Sequence, residues 1–206
     1  TLQLGVHGIP INQPAEIYSS LAKGALNGYQ YFNLQSAEQY YFNRIIKGSL
    51  RALDYLQTVA QFDGENIIAS GSSQGGALSL IVTSLDKRIK GTALYCPAMC
   101  QTNGSLFNTA EGWPKPMKYA NLNKDYTHYW KSVIPYYDVV NFCRDIDVPV
   151  FITFGLIDDV TPATTVFAAY NQINSPKDYY LKSDIAHANH ESQRIEVFKS
   201  ILRMLK

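Results

Sequence analysis

One five-residue turn, Gly71-Ser72-Ser73-Gln74-Gly75, constrains this chain more than any other feature. It has the pattern G-x-S-x-G and stands between a short apolar run, residues 66–70, and a stretch of helical character, residues 74–85. A bare G-x-S-x-G is common in unremarkable turns. Between a strand and a helix it becomes an elbow that presents a nucleophile, because backbone this tight leaves room only for small neighbours. The hydroxyl projects above the sheet, and the first N–H groups of the helix point at any negative charge that develops there. Ser73 occupies the central position of the motif, and Ser72 is one place out of register.

The rest of the chain reads as alternating strands and helices, the pattern of a parallel α/β sheet. Leu2, Leu4 and Val6 alternate with other residues and predict a strand over residues 2–6, followed by a Gly/Pro/Asn-rich loop over residues 7–14. Ser36-Ala37-Glu38-Gln39 has the form of a capping box. Behind it Phe42, Ile45, Ile46, Leu50, Leu53, Leu56 and Val59 recur at helical spacing, predicting an amphipathic helix to about Gln61. Further strands are predicted over residues 92–96, 148–154 and 179–182, and a helix over residues 136–145. Thr161-Pro162 reads as a helix start, with Thr161 as N-cap. The closing helix, residues 191–205, is expected to bury Ile195, Phe198, Ile201, Leu202 and Leu205. Residues 101–135 are rich in Asn, Gly, Pro and aromatics without a sustained period, and read as an irregular cap inserted in a single domain, residues 1–206.

A serine at neutral pH needs a base, and the base needs an orienting acid. With this elbow the order along the chain is Ser, acid, His, each partner lying just past the C-terminal end of a strand. Of four histidines, His7 precedes the serine and His128 falls in the cap. His187 is preferred over His190, because a short loop ending in the small Ala186 leads to it from the last predicted strand. Asp158 and Asp159 both follow the strand over residues 148–154, and the residues alone leave the choice between them open, with Asp184 a weaker third. The spacing Asp184/His187/His190 hints at a metal but has no further matching ligand, so no metal is expected.

Composition narrows the field. Charged residues are 17% and hydrophobic ones 46% of 206 residues, a globular balance, and no uninterrupted apolar run is long enough for a membrane helix. The net charge of +1 and the absence of a Lys/Arg block argue against nucleic acid as a partner. Cys96, Cys100 and Cys143 make an odd count without metal-like spacing; they read as buried thiols in preference to a disulfide and leave the compartment undetermined.

Several stretches together resemble the acetyl xylan esterase / cephalosporin-C deacetylase family of carbohydrate esterases, in the α/β-hydrolase superfamily. They are Tyr40-Tyr41-Phe42-Asn43-Arg44, the elbow through Gly76, Tyr136-Tyr137-Asp138-Val139-Val140-Asn141-Phe142, Gly155-Leu156-Ile157-Asp158, and Thr165-Val166-Phe167-Ala168-Ala169-Tyr170-Asn171. The resemblance runs from about Thr1 to Lys206 and implies an α/β-hydrolase fold. Its G-L-x-D motif selects Asp158 as the acid, and its histidine lands on His187. The family often has His-Glu there, which this chain has at His190-Glu191, so His190 stays open. The implied reaction is removal of acetyl groups from small acetylated sugars and xylo-oligosaccharides through an acyl-enzyme. The Gln74 N–H would hold the oxyanion, no cofactor would be needed, and a homo-oligomer is implied. Trp113, Tyr119, Tyr126, Tyr129 and Trp130 are candidate sugar-stacking rings; they read equally as packing of the cap, with Trp113, Tyr129 and Trp130 carried forward as substrate contacts.

Two competing readings share the elbow: a serine peptidase of the prolyl-oligopeptidase type, and a non-catalytic hydrolase-like binding fragment. The resemblance also implies strands upstream of Thr1. The segment is therefore expected to be the C-terminal portion of its domain, aggregation-prone and weakly active alone, and restored by an extension of roughly one hundred residues.

Overall fold

A computed structural model describes residues 1–115 and 124–206, with the backbone alone for 124–127. The chain forms two compact units, Thr1–Phe62 and Asp63–Lys206.

The first unit is helical. It holds α1 (Ala15–Lys23), a single 3-10 turn at Tyr29–Tyr31 and α2 (Tyr41–Leu56). Helix α2 buries Phe42, Ile45, Ile46, Ser49 and Leu53, so the predicted apolar stripe is the covered one through its first three turns. The capping box does not start it. Ser36 Oγ accepts from Gln39 N at 3.4 Å, closing a separate turn, and the helix begins at Tyr41. The break lies at Tyr40, whose extended backbone (ψ 137°) lets its ring be fully buried while its hydroxyl donates to Gln30 O at 2.8 Å. Residues 2–6 form no strand. Leu2 and Leu4 are exposed, and the chain turns at once, Gly8 N donating to Gly5 O at 3.1 Å. Alternation predicts a strand only where another strand supplies the ladder.

The second unit is a four-stranded sheet in the order β1 (Ile67–Ala69), β2 (Ile89–Tyr95), β3 (Val150–Gly155), β4 (Lys177–Lys182), every pairing parallel. The helices between and after the strands are α3 (Gln74–Leu85), α4 (Lys124–Val133), α5 (Val139–Cys143), α6 (Ala163–Gln172) and α7 (Glu191–Met204). All six residues of β3 are buried, as expected for a strand covered on both faces. Helix α3 is buried continuously from Gly76 to Ser84 and has no polar face to offer water. Two of its hydroxyls are absorbed internally: Ser79 Oγ donates to Gly75 O at 2.9 Å and Thr83 Oγ1 to Ser79 O at 2.6 Å. Among the described residues no helix is long and apolar enough to cross a membrane.

Helix α7 corrects an expectation. It buries Gln193, Val197 and Ser200, with Val197 packed on Ala93 and Phe151 of the sheet and Ile201 and Met204 partly covered beside them. Ile195, Phe198, Leu202 and Leu205 are exposed, Phe198 by 61%. Residues two apart on a helix lie about 200° apart, so the apolar stripe faces nearly away from the side that meets the sheet.

Just after residues 101–135, Asp138 ties the end of that segment to its start. Its buried carboxylate accepts from Gln101 N (3.1 Å), Thr102 N (2.7 Å), Thr102 Oγ1 (2.8 Å) and Val140 N (3.0 Å), and it caps α5. Asp138→Ala would strand these donors away from water and is expected to destabilise the fold by about 3 kcal/mol in urea unfolding, while a surface change such as Lys199→Ala stays within about 0.5 kcal/mol.

Candidate active site

Three loops converge where the parallel strands end. Ser73 follows β1, Asp158 follows β3 and His187 follows β4, each just past a C-terminal strand end. Ser73 has φ 54° and ψ −115°, a conformation that costs a non-glycine residue about 1–3 kcal/mol and persists only where its surroundings over-determine it. They do so here. Ser73 N donates to Tyr95 O (3.1 Å), Ser73 O accepts from Ala77 N and Ala98 N (both 3.0 Å), and Gly75 N donates to Ser72 O (2.8 Å). At Gly71 a Cβ would lie 2.4 Å from the carbonyl of Gly75, so the elbow admits only glycine there. Gln74 is the first residue of α3, directly after Ser73.

His187 joins the serine to the acid. Its Nε2 is 3.0 Å from Ser73 Oγ and its Nδ1 is 2.8 Å from Asp158 Oδ2. The Asp158 side chain is fully buried, and its other contacts fix it as an acceptor: Oδ1 takes N–H bonds from Val160 and Thr161 (both 2.8 Å), and Oδ2 also takes the Thr161 hydroxyl (2.8 Å). Thr161 Oγ1 lies 3.3 Å from His187 Nδ1 as well. Thr161 is therefore bound to Asp158 and does not cap α6, whose N-cap is Pro162. Sequence reasoning missed this role, although the D-x-x-T spacing is one that brings a threonine back onto a preceding carboxylate.

The alternatives lie elsewhere. His190 caps α7, its Nδ1 accepting from Ser192 N at 3.3 Å while its own N–H donates to Gln193 Oε1 at 2.9 Å. Asp184 is exposed and paired with Lys182 at 3.3 Å. Asp159 is exposed, and its carbonyl accepts from Lys115 Nζ. The three cysteines are free and buried. Burial holds all three thiols above their ordinary range, that of Cys143 pushed up to about 12, which keeps them protonated. Cys96 Sγ, Asp158 and His187 bring possible ligand atoms within 4.8 Å of one another. His187 Nδ1 and Asp158 are already joined to each other there, and Cys96 bonds weakly to neighbouring side chains.

Of the aromatic residues, Trp130 is 2% exposed, which leaves its ring no face for a sugar and corrects that expectation: it packs. Trp113 and Tyr129 are half-buried. Trp113 N donates to Val160 O at 3.1 Å, placing this cap residue beside the loop that carries Asp158. Tyr119 and the Tyr126 side chain lie outside the described residues.

The His187 loop lies hard against β3. A Cβ on Gly155 would fall 2.0 Å from Ile185 O and 2.9 Å from Ala186 O, both backbone. Gly155→Ala is thus expected to push the loop off the strand, lowering stability by about 1–3 kcal/mol and lengthening the His187–Ser73 separation; thermal unfolding and a crystal structure of the variant check both.

Residues 12–202 match the acetyl xylan esterase (AXE1) family model, nearly the whole chain. The chain belongs to the acetyl xylan esterase family. An acetyl esterase of Xylanibacter ruminicola, Axe7A, is 36% identical over 179 residues, 86% of this family member and 40% of that protein. Two solved acetyl xylan esterases share its fold at 24% identity. That of a Paenibacillus species superposes with a TM-score of 0.79 over 86% of this chain and 57% of its own. That of a Thermoanaerobacterium species gives 0.76 over 98% and 62%. The expected α/β-hydrolase fold is thus the one this acetyl xylan esterase family member adopts, and the segment spans about two fifths to three fifths of those relatives' lengths.

Proposed function

We propose that this chain carries the catalytic residues of a serine esterase that removes acetyl groups from acetylated xylan fragments. One observation carries the reading: in a member of this family, Ser73 Oγ, His187 and the buried Asp158 form a continuous hydrogen-bonded chain, at 3.0 and 2.8 Å. His187 Nε2 takes the Ser73 hydroxyl proton as Oγ attacks the acetyl carbonyl carbon. Asp158 accepts a hydrogen bond from His187 Nδ1–H throughout and stabilises the imidazolium that forms. The Gln74 N–H, at the start of α3, receives the developing oxyanion. His187 returns its proton to the departing sugar oxygen, leaving acetyl-Ser73. Water then attacks that ester, giving its proton to His187, and acetate leaves as Oγ recovers the proton. Trp113 and Tyr129 are proposed to contact the saccharide, and assembly as a homo-oligomer belongs to the same reading.

Acetate release from acetylated xylo-oligosaccharides, measured beside cleavage of aminoacyl amides, is the test. Fast release with no amide cleavage supports the proposal. The reverse favours a peptidase, and neither activity in the protein at its natural length favours a binding role.

A further inference from the structure

Behind the elbow, three side chains meet that the proposed reaction does not use. Ser72 Oγ donates to Asn189 Oδ1 at 3.1 Å, and Cys96 Sγ stands 3.7 Å from Ser72 Oγ and 3.9 Å from Asn189 Oδ1. Ser72 directly precedes Ser73, and Asn189 lies two residues past His187. The bond therefore spans 117 residues of chain to join the turn that carries the nucleophile to the loop that carries the base.

Apart from the bonds of His187 itself to Asp158 and Ser73 and the exposed Lys182–Asp184 pair, that loop has few attachments among the described residues. Residues 183–190 contain no regular structure, and most of their side chains are half-buried or exposed. One attachment is the close approach of Ile185 and Ala186 to Gly155. Another is the capping box at His190, which fixes the far end to α7. Between them, among the described residues, Ala188 N donates to Ala186 O at 2.9 Å and tightens the backbone. His187 sits in this interval, where its side chain is still 26% exposed.

We propose that the Ser72–Asn189 pair is a clamp that positions His187 against Ser73, a role that rests on the serine-esterase reading for its catalytic consequence. Neither residue touches the reacting atoms; both are positioning residues. The clamp ties the loop at the point where the Nε2–Oγ distance is decided. A chain of groups held this way loses rate steeply with small displacements, because proton transfer and attack both need the near-attack geometry. Its loss should fall on kcat and leave KM alone, because no substrate contact is removed. Cys96 supplies the third wall and, being a weak donor, adds little energy of its own.

The test is a double-mutant cycle in the full chain, with Ser72→Ala, Asn189→Ala and the pair together. Each single change is expected to lower kcat for acetyl-ester hydrolysis about tenfold with KM unchanged, and the pair about tenfold in place of a hundredfold, because both remove the same bond. A second readout needs no turnover: the low-field proton resonance of His187 Nδ1–H, sharp in the unsubstituted chain and broadened by exchange in each variant. If the chain hydrolyses no ester, the enzymatic reading fails while the resonance still tests the clamp. Multiplying effects in the pair, a change in KM alone, or an unaltered resonance in both single variants would overturn the clamp.

Discussion

Ser73→Ala is expected to lower acetyl-ester hydrolysis by roughly 10⁴- to 10⁶-fold, with little change in the unfolding midpoint. The size follows from the proposed role, in which the hydroxyl supplies the bond-forming atom and no neighbouring group replaces it. Ser72 cannot, because its Oγ is bonded to Asn189 and not to His187. Ser72→Ala is therefore expected to be milder by several orders of magnitude, which separates the nucleophile from the adjacent hydroxyl in one experiment. The substitution also shows what the strain at Ser73 serves. Alanine at φ 54° carries the same backbone cost as serine, so loss of activity at constant stability assigns the effect to the oxygen.

His187→Ala should cost about as much as Ser73→Ala, and the two together no more than either, because the pair acts as one unit. His190→Ala is expected to behave quite differently. It removes the N-cap of α7 and one half of its capping box, a loss of about 1 kcal/mol in stability, and leaves most of the rate. Steady-state kinetics and urea unfolding on the two variants therefore give opposite patterns, one losing rate and the other stability. A severe rate loss in His190→Ala with a mild one in His187→Ala would transfer the base to His190.

The neighbourhood of the candidate site was legible in the sequence because Ser73, the Asp158-Asp159 pair and His187 each follow a strand in a parallel sheet, while the choice of Asp158 over Asp159 came from the family resemblance. The apolar runs that end near residues 69, 154 and 182 set where Ser73, Asp158 and His187 can stand. What was not legible depends on partners distant in sequence. Alternation at Leu2, Leu4 and Val6 looks like a strand, but a ladder needs a neighbour, and none pairs there among the described residues. The α7 periodicity marks a stripe without saying what covers it, and the sheet meets the face of Val197 instead. The capping box at Ser36 is locally sound, yet burial of the Tyr40 ring breaks the backbone before the helix can start. Gly155 reads as a strand end until the Ile185 carbonyl is seen against it. Thr161 reads as a cap until Asp158 claims its hydroxyl and its N–H. The Ser72–Asn189 bond has no local signal at all, since its two ends are linked only through the folded sheet.

Ser73, activated by His187, is the proposed nucleophile. Labelling with a serine-reactive fluorophosphonate and mapping the modified peptide tests it without assuming a substrate. Ser73 is expected to be the one phosphonylated residue, with labelling abolished in Ser73→Ala, strongly slowed in His187→Ala and nearly unchanged in His190→Ala. Modification at Ser72 or at any other serine, or labelling of Ser73 that proceeds equally fast without His187, would contradict it.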